Sequence, residues 1–267
     1  MVIIMNLYRK IKISLKYPFS NVKKWLILFV LFVIANLLVL PKYYTFTEIF
    51  LKIDVIWSFI SIIITIFTLG YCISIIKNSI DYSDEMPSFN IKSDFINGLK
   101  HILVSFVYLL IPILVFVVLA NVMNVTAYSF DLVTFSFTKT SVINETPNYI
   151  ETMVESAFPT FNVWITLIVS LVIFLIFELF EIIGICRLAK FNSIKEAFNF
   201  KIVFEEFKQK ATKLLIGVVI LLIISVILSF IFSIFNMGVV IGPYISILGY
   251  AYLFIFHYKF IGLLYAS

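Results

Sequence analysis

Glu178 and Glu181 are the residues in this sequence whose type and position ask for a chemical explanation. They lie three apart, so on an α-helix they share a face. The residues around them, Leu171 to Phe177 before and Ile182 to Ile185 after, are apolar or glycine. Counted back from Cys186 at 1.5 Å per residue, Glu178 falls roughly 12 Å and Glu181 roughly 7–8 Å into such a helix. A charged acid at depth in a bilayer costs on the order of 2.5–3.5 kcal/mol, relieved by a proton, a partner or a wet cavity. The functional chemistry this suggests is proton or cation handling. The structural alternative is hydrogen bonding to Ser225, Ser229, Ser233, Thr65 or Thr68, or pairing with Arg187. Paired carboxylates also hydrolyse sugars, but no polar cleft sequence accompanies these two.

The remaining reactive residue types give less. Asp81, Asp84 and Glu85 precede Pro87, and three close acids can hold a divalent cation through oxygen ligands; a solvated turn accounts for them equally. Cys72 and Cys186 cannot form a disulfide framework, and no CxxC pair exists for zinc. His101 and His257 are far apart, with no HExxH, GxxxxGK[ST] or GxGxxG motif. The expectation is therefore a protein without catalytic, cofactor-binding or metal-binding residues, not an enzyme, whose one candidate polar site is Glu178 with Glu181.

The elements that must position this pair follow from composition. The 267 residues are 62% hydrophobic and 13% charged, against about 45–50% and 25% in soluble domains, so the chain is read as an integral membrane protein. The mean hydropathy of +1.10 agrees. A span needs roughly 20 apolar residues. Six stretches qualify, at about 21–40, 55–76, 102–125, 163–186, 214–235 and 238–256. Gly238, Gly242 and Pro243 weaken the start of the last one, and an alternative count of five merges or half-inserts the final pair. The fold class expected is all-α, a polytopic transmembrane helix bundle forming a single integral membrane domain over 1–267.

Basic residues set the orientation. Arg9, Lys10, Lys12, Lys16, Lys23, Lys24, Lys77, Lys92, Lys100, Arg187, Lys190, Lys195, Lys201, Lys208, Lys210, Lys213 and Lys259 fall on one side, and only Lys42, Lys52 and Lys139 on the other. Cytoplasmic loops carry the excess, which places both termini inside and favours an even number of spans. The net charge of +5 is thereby a matter of topology, and nucleic acid is not an expected partner.

Two interfacial amphipathic helices are expected at the inner surface. In residues 3–17, Ile3, Ile4, Leu7, Tyr8, Ile11 and Leu15 can share an apolar face ringed by cations suited to anionic lipid headgroups. Pro18 ends it, and Ser20 or Asn21 can cap the first span. In residues 193–213, Ser193 and Glu196 read as a capping box, followed by Ala197, Phe200, Phe204, Phe207, Ala211 and Leu214 at helical spacing, in a helix that feeds directly into the fifth span. The outer loop, 126–162, has room for a short hairpin at 128–138 but not for a core of its own. It holds or borders two N-x-[ST] triplets, at Asn124 and Asn144. Asn36, Asn121 and Tyr108 suit helix–helix contacts.

Gly70-x-Cys72-x5-Asn78-Ser79-Ile80 recurs as Gly184-x-Cys186-x5-Asn192-Ser193-Ile194, which a parallel duplication or chance would both explain. A wider pattern runs through Lys16-Tyr17-Pro18-Phe19-Ser20, Leu69-Gly70-Tyr71, Met86-Pro87-Ser88-Phe89, Phe95-Ile96-Asn97-Gly98-Leu99 and Tyr108 with Pro112. It resembles a family of uncharacterised archaeal and bacterial multi-spanning membrane proteins, domain of unknown function 4013. The resemblance implies a multi-pass topology and no established activity, and brings no functional residues with it. The function expected is that of a non-enzymatic membrane-organising or envelope-associated protein in the cell membrane, with the bilayer and a membrane-protein partner as its contacts. A small transporter or permease subunit using Glu178 and Glu181 is the alternative.

Overall fold

A computed structural model describes residues 2–36, 54–125, 161–235 and 242–266. Every regular element among them is helical: α1 (Val2–Lys16), a 3₁₀ segment (Tyr17–Asn21), α2 (Val22–Ala35), α3 (Asp54–Ile80), α4 (Ile91–Val122), α5 (Phe161–Phe191), the single turn α6 (Ile194–Ala197), α7 (Phe200–Phe235) and α8 (Gly242–Tyr265). Six stretches are long and apolar enough to cross a membrane, the first being Leu7–Ala35 across the 3₁₀ segment. The all-α, six-span expectation holds. Backbone polar groups have no water to turn to in lipid, and only helices (or closed barrels) satisfy them within the chain.

The chain divides into two compact units, Met1–Ser105 with Leu179–Ser267, and Phe106–Glu178. In the first, α8 is the best-covered span and packs against α7, α3, α2 and α1. The core here joins Tyr17, Leu28, Tyr71, Ile75, Met86 and Ile255. In the second, the end of α4 meets the start of α5, where Asn162 Nδ2 donates to Met123 O at 3.2 Å.

Helix ends follow the capping rules. Asn21 Oδ1 accepts from Lys24 N at 3.1 Å and starts α2. Asn90 Oδ1 accepts from Ser93 N at 3.0 Å, while Asp94 Oδ2 accepts from Asn90 N at 2.8 Å, a reciprocal start for α4. Tyr82, Asn124 and Asn192 turn left-handed, with φ of 57°, 53° and 52°, just beyond α3, α4 and α5.

The two amphipathic helices differ from expectation. On α1, Tyr8 is exposed while Leu7, Lys10 and Ser14 are buried, because α1 packs on α8. Tyr252 Oη fixes it there by donating to Leu15 O at 2.8 Å. The stretch 193–213 is not one helix. Ser193 makes no side-chain cap bond and α6 ends at Ala197, while α7, starting at Phe200, does feed directly into the fifth span as expected. The capping box fails because Glu196 is drawn to Arg187 instead. Phe200 and Phe204 are exposed, whereas Val203 and Leu214 are buried. The expected outer hairpin and the Asn144 triplet lie outside the described residues.

Candidate functional site

Glu178 and Glu181 sit on α5 three residues apart, in the surroundings the sequence gives them. Glu178 is the last residue of the second unit and is exposed. Its neighbours one and two turns back, Leu175 and Leu171, are exposed as well. It has no hydrogen-bond or ion-pair partner among the described residues. Glu181 belongs to the first unit, is half-buried and does have a polar partner. Of the partners anticipated from sequence, Thr65, Thr68 and Arg187 are otherwise engaged. Thr65 Oγ1 donates back to Ser61 O at 2.8 Å and Thr68 Oγ1 to Thr65 O at 2.9 Å, both within α3. Arg187 is occupied elsewhere, as follows.

Arg187, 3% exposed, joins the end of α5 to α6 and α7. Its Nη2 meets Glu196 Oε2 at 2.5 Å, its Nη1 meets Glu206 Oε1 at 2.7 Å, and its Nε donates to Glu196 O at 2.8 Å. A planar guanidinium offers five donors in a fork, which is why Arg rather than Lys suits this three-way junction. Phe180, two turns earlier on α5, stacks on Phe207 of α7 at 4.3 Å between centroids.

A second polar constellation was not anticipated. The connection between α3 and α4 is clamped by side chains from four different elements. Tyr17 Oη donates to Glu85 O at 2.9 Å, and Asn78 Nδ2 to the same oxygen at 3.2 Å. Lys24 Nζ donates to Met86 O at 2.5 Å, Tyr71 Oη to Pro87 O at 3.0 Å, and Lys259 Nζ to Ser83 O at 2.6 Å. Lys259 is fully buried, and its ammonium also stands 4.3 Å from the centre of the Tyr17 ring, a cation–π contact. Phe89 stacks on Tyr71 at 4.2 Å. The acids Asp81, Asp84 and Glu85 are exposed in this segment, and no group of three metal-ligating side chains occurs among the described residues. It is the backbone of the acidic turn that the clamp uses.

The same clamp explains the sequence pattern that carried the family resemblance. Tyr17, Tyr71, Met86, Pro87 and Phe89 converge on this turn. Gly70 and Gly98 meet where α3 crosses α4: a Cβ on Gly70 would strike Asp94 O, and one on Gly98 would strike Ile66 O. Only glycine allows two helix backbones to approach so closely.

Beside that crossing, α4 turns a polar face inward. Asp94 (1% exposed) accepts from Ser74 Oγ at 3.2 Å, Asn97 Nδ2 reaches Ser93 Oγ at 3.4 Å, and His101 Nδ1 lies 3.4 Å from Ser105 Oγ. His101 Nε2 is buried with no hydrogen-bond partner among the described residues. The spacing Asp94, Asn97, His101 follows one helix face and was available in the sequence. These residues precede the apolar run, so hydropathy alone does not extend the helix back to them, although it begins at Ile91. Cys72 and Cys186 are both buried free thiols. The two copies of the Gly-x-Cys pattern are placed differently, since Asn78 is helical and Asn192 lies in the left-handed turn past α5. Asn36 and Asn121 bond the carbonyl four residues back in their own helices, and among the described residues they do not join helices together.

A family model described as a protein of unknown function (DUF4013) matches residues 53–237. No curated protein and no solved structure matches the chain.

Proposed function

The chain belongs to the DUF4013 family of proteins of unknown function, and on that premise we propose that it is a non-enzymatic, membrane-organising or envelope-associated protein. The observation that carries this is how the buried polar groups are spent. Tyr17, Lys24, Tyr71 and Lys259 each donate to a carbonyl of the α3–α4 turn, holding backbone in place. Groups engaged in this way fix a scaffold; they are not turned toward a substrate. The protein sits multi-pass in the cell membrane with the basic end, and so both termini, in the cytoplasm. There Arg9, Lys12, Lys16, Lys23, Lys201 and Lys208 are exposed and face anionic headgroups, each contributing about 1 kcal/mol near a charged surface.

A second reading has its own support. The exposed carboxylate of Glu178 within an apolar helix, without a partner among the described residues, together with Pro112 inside α4, is what a transporter or permease subunit would offer. Two measurements on the reconstituted chain distinguish them. Energy transfer from tryptophan to labelled lipid should show enrichment of phosphatidylglycerol over phosphatidylcholine, lost when Lys12, Lys16, Lys201 and Lys208 are changed to Glu. Proton-coupled flux above that of empty vesicles, abolished in the Glu178→Gln, Glu181→Gln double variant, would overturn the organising role in favour of transport.

A further inference from the structure

At the basic end of the first unit, lysines of α1, α5 and α7 converge beside the last turn of α8. Lys10 of α1 and Lys213 of α7 lie close enough to repel each other, and Lys210 of α7 is within electrostatic reach of both Lys213 and Lys190, the latter in the last turn of α5. Lys210 Nζ donates to Tyr265 O at 2.7 Å and stands 3.9 Å from the centre of the Tyr265 ring, which places the set at the end of α8. All of these residues belong to the first unit. Exposure falls from Lys190, open to solvent, through the half-buried Lys210 and Lys213, to Lys10, which is 6% exposed. Lysine has the reach to turn its ammonium out to water, so a buried one that faces another cation needs a reason.

The fold answers part of this charge. A helix C-terminus carries about half a negative charge, and Lys210 alone matches it. Among the described residues, the carboxylate that reaches Lys210 is Glu206, and its Oε1 is already bonded to Arg187. Contacts with neutral groups, such as the Phe191 ring under Lys190, satisfy an ammonium and leave its charge standing. Positive charge therefore stands in excess between α1, α7 and the end of α8. Ser14 adds a separate observation. It lies one turn on from Lys10, on the same face of α1, is fully buried, and its Oγ has no hydrogen-bond partner among the described residues. A hydroxyl next to converging lysines is a donor set that suits a phosphate group, whose oxygens accept several charge-assisted bonds at once.

We propose that Lys10, Lys213 and Ser14 form a phosphate-binding site at the inner membrane surface, filled by the headgroup of an anionic phospholipid or by free phosphate. Basic pockets between membrane helices on the cytoplasmic side hold headgroups in this manner. Lys210 and Lys190 line the approach from solvent. The site rests on the reading of a membrane-organising protein with its basic end at the inner leaflet, and deepens it from a diffuse attraction of surface lysines to one bound group.

The test extracts the full chain into dodecyl maltoside from vesicles of phosphatidylglycerol and phosphatidylcholine and identifies retained lipid by native mass spectrometry. Wild type should keep about one phosphatidylglycerol per chain. The Lys10→Gln, Lys213→Gln double variant should hold it about tenfold more weakly, and Ser14→Ala about threefold more weakly. Lys12→Gln with Lys16→Gln, on exposed residues, should keep it. That control separates the site from the diffuse attraction, whose own failure would show as lost energy-transfer enrichment with retention intact. Radiolabelled inorganic phosphate, offered to the chain stripped of lipid, is the second arm: saturable binding, lost in the double variant, with no phosphatidylglycerol retained would assign the same site to free phosphate. A wild type that holds neither ligand, a result that depends on no variant folding, or equal retention by wild type and double variant, would overturn the proposal.

Discussion

Replacing Gly70 with alanine puts the α3–α4 crossing under direct test. A methyl group there would stand 1.6 Å from Asp94 O on α4, while carbon and oxygen need about 3.5 Å to be comfortable. The helices must therefore part by about 2 Å or the backbone must bend. Overpacking of this kind costs about 1–3 kcal/mol. Parting the helices also stretches the bond from Ser74 Oγ to Asp94 Oδ1, already 3.2 Å long, past any useful length, a further loss of about 1 kcal/mol. Alanine gains about 1 kcal/mol over glycine in helix propensity. The net is a destabilisation of about 1–3 kcal/mol. Unfolding of the purified protein in mixed micelles, titrated with sodium dodecyl sulfate and followed by circular dichroism, measures it. Gly98→Ala acts on the same crossing, where its Cβ would strike Ile66 O, so the double variant should cost clearly less than the sum of the singles. A Gly70→Ala protein as stable as wild type, or more stable by the propensity gain alone, would refute the close approach.

Other expectations follow from the same contacts. Lys259→Met removes the donor to Ser83 O and the charge over Tyr17, and should speed amide exchange across residues 82–90 while destabilising by about 1–3 kcal/mol; unchanged exchange there would contradict the clamp. Arg187→Gln leaves Glu206 and Glu196 without their cation. Because Glu196 reaches solvent, the loss should fall at or below the low end of the usual range, about 3 kcal/mol in chemical unfolding, with partial recovery on adding Glu206→Gln. Phe207→Ala should cost about 2 kcal/mol through its lost stacking on Phe180, while Phe200→Ala, on an exposed residue, should stay within about 0.5 kcal/mol. Equal effects of these two would argue against the α5–α7 contact.

The apolar runs were legible as helices because hydropathy and length alone decide what can span a bilayer. Charges were harder. Lys24 and Lys259 read as topological markers in the sequence, yet both donate to carbonyls of the α3–α4 turn. No local pattern announces such a contact, since residues 24 and 259 meet the turn only through tertiary packing. The capping box at Ser193 was a sound local inference that a stronger distant one displaced: Glu196 gives more to a buried guanidinium than to a backbone amide. Lys10 shows the same limit, because helical periodicity finds an apolar face but cannot tell that α8 will cover a lysine beside it. Asp94 and His101 share one helix face, but they lie before the apolar run, and hydropathy marks only the part of α4 that follows them. For Glu178 and Glu181 the sequence located the pair but not their different circumstances, one exposed and one half-buried with a partner.

Six helices long and apolar enough to cross a membrane should gather their basic ends on one side. Cysteine-accessibility labelling tests this directly, and the two native thiols are buried and should stay silent. With Lys208→Cys and Lys139→Cys introduced one at a time in intact cells, a membrane-impermeant maleimide should label position 139 from outside. Position 208 should react only after the membrane is opened. Labelling of both positions in intact cells, or of neither until permeabilisation, would contradict the account.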